Sequence, residues 1–240
     1  MTLIDANKAR IDQHRPMQEP LLSQLRDYYR IGLTWSSNAL EGSSLTESET
    51  KVLLEDGLTV GGKPIRDYYE ATGHAKAYDA MYGLLDASSA LKEHDIRELH
   101  RLFYSQADEV NAGRYRTQQA FISGSQHPLP RPGQVPGMMA EFVGWMAESE
   151  AALHPVVFAA QAHKRFIFIH PFIDGNGRVS RLLMNLCLLR HGYTPAIIPP
   201  ILRANYIAAL EKAHTDDASF VEFIAERVLE TQKDILRMLG

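Results

Sequence analysis

Apolar positions recur along most of this chain at the three-to-four spacing of helices that bury one stripe. Leu21, Leu22, Leu25, Tyr28 and Tyr29 form the first such run. A second, short helix is expected at 36–40, ending at Gly42, a residue suited to a left-handed C-cap. Ser44-Leu45-Thr46-Glu47 reads as a new N-terminus, with Ser44 or Thr46 as cap and the helix running to Leu54. Asp56-Gly57 and Gly61-Gly62-Lys63-Pro64 read as turns. Further helices are predicted at about 67–85, 93–104, 135–146, 155–169, 178–190, 204–213 and 219–239. The leading residues, about 1–14, are polar and are expected to fray.

One stretch breaks the pattern. Residues 113–136 hold Gly113, Gly124 and Gly133 together with Pro128, Pro130, Pro132 and Pro136. Within them Tyr115, Thr117, Phe121 and Ile122 favour extended backbone, so a short β-hairpin is expected at about 116–124. The fold class is therefore all-α, a helical bundle with one short hairpin. No internal repeat, low-complexity linker or shift of composition divides residues 1–240, which read as one domain with no separate C-terminal domain.

Composition narrows the classes. A 45% hydrophobic content suffices for a packed core and argues against global disorder. A net charge of −4 lacks the basic excess of a nucleic-acid binder. There is no run of about eighteen apolar residues to span a bilayer, and Met1-Thr2-Leu3-Ile4-Asp5 has neither the basic nor the apolar region of a signal peptide. The single cysteine, Cys187, lies among leucines; it excludes an internal disulfide and reads as an inert core residue. A cytoplasmic protein with no membrane or nucleic-acid partner is expected.

The chemistry concentrates in His170-Pro171-Phe172-Ile173-Asp174-Gly175-Asn176-Gly177-Arg178-Val179-Ser180-Arg181. Moving a phosphate-bearing group needs a base, a metal ligand, an anion cradle and charge clamps, and this run holds a candidate for each. Gly175-Asn176-Gly177 opens a helix, whose first N–H groups are free to bind phosphate oxygens; alone, it equally fits a plain inter-helix turn. Arg178 and Arg181 lie one turn apart at that positive helix end, where cations are unfavourable unless an anion compensates them. Guanidinium forks bind phosphate in bidentate fashion. Asp174 beside a phosphate calls for a cation such as Mg²⁺, or else initiates the loop as an Asx-turn. His170 is either a satisfied core histidine or a proton acceptor with an ordinary pKa near neutrality. His163, one heptad earlier, reads as structural.

This run resembles the HPFx(D/E)GNGRxxR signature of the Fic family at every fixed position. The best-known members transfer AMP from ATP onto protein hydroxyls. The resemblance implies a Fic-type helical bundle, with His170 as general base and Asp174 as ligand of Mg²⁺ or Mn²⁺. It implies Gly175, Asn176 and Gly177 at the α-phosphate side of ATP, and Arg178 and Arg181 at the β- and γ-phosphates. It sets Tyr206, in Arg203-Ala204-Asn205-Tyr206, near the adenine ring. Where related members carry Asn-x-Gly-Asp, this chain has His214-Thr215-Asp216-Asp217, which leaves base selectivity open. The segment after Gly113-Arg114-Tyr115-Arg116-Thr117 resembles the family's flap. That implies target binding by Thr117, Ala120, Phe121 and Ile122 through added-strand pairing; an ordinary surface hairpin is the alternative.

Ser37-Asn38-Ala39-Leu40-Glu41-Gly42 resembles the family's (S/T)xxxE(G/N) inhibitory motif, on an N-terminal helix at about 34–42 within the same Fic domain. Ser37 and Glu41 share a helix face, and Glu41 is expected to fork with Arg181 and hold off the γ-phosphate. Some members with such a glutamate also remove AMP. The function implied is an autoinhibited protein adenylyltransferase with ATP as substrate and a protein as target; homo-oligomerisation is left open. Two alternatives stand beside it: a Fic-fold transferase with another donor such as UMP, and a nucleotide-sensing module with little turnover. Kinase-like relatives carry lysine where Gly177 stands, and the intact His170 and Asp174 weigh against a mere sensor.

Overall fold

The computed structural model describes residues 1–85 and 90–239. Among the described residues the regular elements are helices: α1 (Thr2–Asp12), α2 (Leu21–Leu40), α3 (Glu47–Asp56), α4 (Ile65–Gly83), α5 (Glu93–Tyr104), α6 (Val135–Ser149), α7 (Pro155–Ile169), α8 (Asn176–Arg190), α9 (Arg203–Lys212) and α10 (Ala218–Leu239). The centre is the α7–α8 pair. Helix α8 buries residues on every side, among them Val179, Leu183, Met184 and Leu188, as expected of a helix enclosed by others. The loop 170–175 thus lies between the two innermost helices. Helices α4 and α5 meet backbone to backbone at Gly73, where a Cβ would overlap the Phe103 carbonyl.

Local signals set several boundaries as the sequence predicts. Thr46 is the cap of α3: its hydroxyl accepts the Glu49 N–H while the Glu49 carboxylate accepts the Thr46 N–H. Gly57 follows that helix in left-handed conformation. No helix among the described residues is long and apolar enough to cross a membrane. Cys187 is buried and its thiol is pushed up by burial, and His163 is a core residue bonded to Ser180 Oγ and the Tyr206 hydroxyl.

Three expectations are revised. The short helix at 36–40 is the last part of α2, which runs unbroken from Leu21. Its polar residues Thr34, Ser36, Ser37 and Asn38 are buried rather than exposed, so the hydrophobic pattern lapses while the helix continues. The leading residues form α1, with Ile4 and Ile11 buried and the Ile4 carbonyl accepting the Gln232 side chain on α10. Polar clasps finish its docking: Asp5 accepts the Tyr193 hydroxyl at 2.6 Å and lies 2.9 Å from His154.

The third concerns 116–124. Among the described residues no strand is present, and side chains tie this segment in place of a ladder. Gln119 donates to the Leu129 carbonyl, and Arg116 to those of Gln118 and Pro130. The returning arm carries Pro128 and Pro130, which have no N–H to give to a ladder.

Candidate functional site

Helix α7 ends at His170, which takes left-handed φ 49° and ψ 60°. A non-glycine residue there stores roughly 1–3 kcal/mol of strain. Arg116 holds it: the Arg116 side chain donates to the His170 carbonyl and the Arg116 N–H to the Pro171 carbonyl, each at 2.8 Å. Phe172 is fully buried and stacks on His100, 3.7 Å between ring centres. Nδ1 of His100 accepts the Gly113 N–H, so its Nε2 is the donor to the Asp174 carbonyl at 3.1 Å. Burial pushes His100 down to about 4, consistent with this neutral tautomer. The Asn176 side chain closes the loop by two 2.9 Å bonds to the Phe172 backbone. Its amide is thus spent on the loop, and what it presents at the start of α8 is its backbone. Gly175, at φ 78°, starts α8, and a Cβ there would lie 2.7 Å from Phe103.

The two arginines of the run have separate surroundings. Arg178 is buried in a ring of charges: Glu70 at 2.7 Å, Asp174 at 3.3 Å, and Arg66 closing the ring at 2.7 Å from both carboxylates. The Phe103 face lies 4.4 Å from its guanidinium carbon. Burial would raise Asp174, but Arg178, the Gly175 N–H and Arg66 hold it below the usual carboxylate range. Arg181 donates to Ser37 Oγ and to the Ser37 carbonyl at 2.9 Å, and to Glu41 at 2.8 Å. The Tyr206 hydroxyl lies 3.5 Å from its other nitrogen.

Glu41 caps the end of α2, which Arg203 fixes by donating to the Leu40 carbonyl at 2.7 Å. Its carboxylate rests on the first turn of α8, where a Cβ on Gly177 would overlap its Oε1. Burial would raise the Glu41 carboxyl, but the charge and hydrogen bond of Arg181 hold it low. An internal carboxylate therefore occupies the positive helix end that an outside anion would use.

Beside it opens a cavity of about 290 Å³, whose walls include Glu41, Ile122, His170, Gly177 and Tyr206. Burial, then the Arg116 charge, push His170 down to about 4. Its Nδ1 is buried without a well-formed hydrogen bond, and the Ile167 carbonyl is the neighbouring acceptor. The imidazole is neutral at pH 7 and able to take a proton. Asp174 and Arg178 stand apart from these walls, in the charged ring. Ile122 alone of the four flap residues lines the cavity; Phe121 is 85% exposed. A larger cleft, about 1140 Å³, lies between α2, the end of α4 and α10 and holds none of these groups.

Sequence reasoning missed Arg66, Glu70, His100 and Arg116 as members of the site. Arg66 and Glu70 are readable as an i,i+4 pair on a helix, but nothing local ties them to a run over a hundred residues away.

Residues 90–188 match the model of the Fic/DOC family. The chain is 36% identical over 225 residues to the protein adenylyltransferase Fic of Drosophila willistoni, an alignment covering 93% of this chain and 45% of that one. It thus spans less than half of that relative's length. It superposes on Fic-1 (residues 134–508) of C. elegans with a TM-score of 0.88 at 32% identity, over 99% of this chain and 71% of that one. On a Fic domain containing signaling protein from Bacteroides thetaiotaomicron VPI-5482 the TM-score is 0.89 at 28% identity, over 96% and 95% of the two chains. The His170–Arg181 run, its seat between the two central helices and these likenesses along nearly the whole chain agree, and the chain belongs to the Fic/DOC family.

Proposed function

We propose that this chain is a protein adenylyltransferase that moves AMP from ATP to a serine, threonine or tyrosine hydroxyl of a target protein, and that Glu41 holds it in check. The observation that carries the reading is the convergence of His170, Gly177 at the start of α8 and Glu41, the partner of Arg181, on one cavity. The relatives named as adenylyltransferases support the choice of AMP.

With ATP seated on the first turn of α8, the target hydroxyl oxygen attacks the α-phosphorus. His170 takes the hydroxyl proton on Nε2. The bond from the α-phosphorus to the bridging oxygen of the β-phosphate breaks, and pyrophosphate leaves. A positioned base of this kind contributes roughly 10²–10⁴-fold. The backbone N–H groups of α8 and Arg181 face the charge that builds on the phosphate oxygens. The flap segment receives the target chain.

Asp174 is the residue that would hold Mg²⁺ or Mn²⁺, once Arg66 gives up the Oδ2 it now engages. Among the described residues no group of three or more acidic, histidine or cysteine side chains could hold an ion, so the protein offers one carboxylate, as expected for an ion that also binds phosphates and water. When bound, the ion neutralises phosphate charge. Glu41 opposes all this by filling the cradle with negative charge and engaging Arg181. The ATP-dependent reaction and the lone buried thiol fit a cytoplasmic setting.

Incubation with α-labelled and γ-labelled ATP tests the reading. Label from the α position alone is expected on protein. His170→Ala is expected to lose it by at least about 100-fold while nucleotide binding stays near wild type. Label from the γ position, or full labelling by His170→Ala, would refute it.

A further inference from the structure

The segment that roofs the cavity has little backbone bonding of its own. Among the described residues 117–130 make one backbone–backbone hydrogen bond, from Ser125 to Ile122. Its root is fixed by Arg116. Its far end, Ser125-Gln126-His127, lies against α9, and there one side chain gathers the contacts. Glu211 accepts the Ser125 hydroxyl at 2.9 Å and the Gln126 N–H at 2.9 Å, and lies 3.7 Å from His127 Nε2. The His127 ring stacks on His214 at 3.5 Å, and His214 on Phe168 of α7 at 3.7 Å. All five of Ser125, His127, Phe168, Glu211 and His214, with Ile122, border the cavity.

We infer that Glu211 is a positioning residue that latches the flap to α9 and so fixes one wall of the cavity. The inference rests, for its role in nucleotide binding, on the nucleotide reading of that cavity. The latch itself follows from the geometry. A ladder would hold the flap by many weak bonds spread along it; here the fixed position depends on one carboxylate accepting two bonds at the tip. Such charged bonds are stronger than neutral ones, and the stacked rings restrict sideways slip. Losing the carboxylate leaves the Ser125 hydroxyl and the Gln126 N–H without their partner, and leaves the tip held only by the His127–His214 stack.

Chymotrypsin reads the latch without any ligand, because Phe121 stands exposed in the flap. In the full chain, cleavage after Phe121 is expected to quicken at least tenfold for Glu211→Ala. Glu211→Gln keeps an acceptor oxygen and is expected to restore much of the protection. The urea midpoint of the whole molecule is expected to stay near wild type. Unchanged cleavage, or cleavage that rises only in step with global unfolding, would overturn the latch.

Binding of a fluorescent ATP analogue then reads the wall. Its Kd is expected to rise at least threefold for Glu211→Ala and to recover with Glu211→Gln; an unchanged Kd with a loosened flap would overturn the positioning role. These Kd values are read in the Glu41→Gly background, where the cradle is clear; if that chain binds no analogue, the nucleotide reading fails, and the cleavage rates still decide the latch.

Discussion

Arg178 and Arg181 sit one turn apart on α8, and both are buried, yet they are held differently. Arg178 meets two carboxylates, Glu70 and Asp174, and one aromatic face. Its charge is answered by the scaffold. Arg181 meets one carboxylate, Glu41, and otherwise neutral oxygens of Ser37 and Tyr206. Its single counter-charge comes from the end of a helix, beside an open cavity. Identical side chains thus have different surroundings: one is a strut between α4 and α8, and under the proposed function the other exchanges its partner for an arriving anion. The family reading assigns both to phosphates; the geometry leaves Arg181 the freer of the two.

The comparison is easiest to break at Glu70. Glu70→Ala strips Arg178 of its buried partner, and removing one side of such a pair costs about 3–5 kcal/mol. For a chain of this size that lowers Tm by roughly 6–20 °C, measurable by calorimetry. A loss below about 1 kcal/mol would mean that Asp174 alone suffices and that Arg178 is no strut. Glu41→Gly is expected to do the reverse. Charged hydrogen bonds are worth about 1.5–3 kcal/mol net, so freeing Arg181 is expected to raise labelling from α-labelled ATP by about ten- to a hundredfold. Equal labelling would remove the brake.

Acid probes the surroundings that the two arginines share. His74, bonded to Thr34, is pushed down to about 3 by burial and then by the charges of Arg181 and Arg178. His100 and His170 are pushed down to about 4, chiefly by burial. Below their ordinary 6.5 these histidines bind protons in the unfolded chain but not in the folded one. Stability is therefore full above that pH and falls as pH drops toward 4, by about 1.4 kcal/mol per pH unit for each. Urea unfolding of wild type and His74→Gln at pH 7 and 5 checks this; a parallel decline in both would clear His74 of any part. The smallest effect is expected at Arg66, whose side chain is 59% exposed. Arg66→Gln is expected to cost about 1 kcal/mol or less. A cost matching that of Glu70→Ala would make the ring one cooperative unit.

What could be read in advance was local. The turn 170–177, the long apolar helix before it and the helix start at Ser44 or Thr46 each lie within about a dozen residues, where spacing maps directly onto geometry. The Ser37–Glu41 contact with Arg181 was readable only through a family pattern, since no periodicity links positions 140 apart. Arg66 and Glu70 had no such pattern. Polar residues buried for their hydrogen bonds ended α2 too early at 34–38. Helix α1 looked like a loose leader because it docks through few residues, Ile4, Asn7 and Ile11. The flap looked like a hairpin because its extended residues were visible, while the missing N–H groups of Pro128 and Pro130 decided against a ladder.

The absent methyl at Gly177 has one more consequence. The Glu41 carboxylate fills the space above it and arrives there on a short covalent tether. Under the proposed function it acts as a built-in competitor whose effective concentration is fixed by that tether. Diluting or concentrating the protein leaves such restraint unchanged, and so does any rise in cellular copy number. Relief must come from chemistry: an anion in sufficient excess, or a force that draws the end of α2 away from α8.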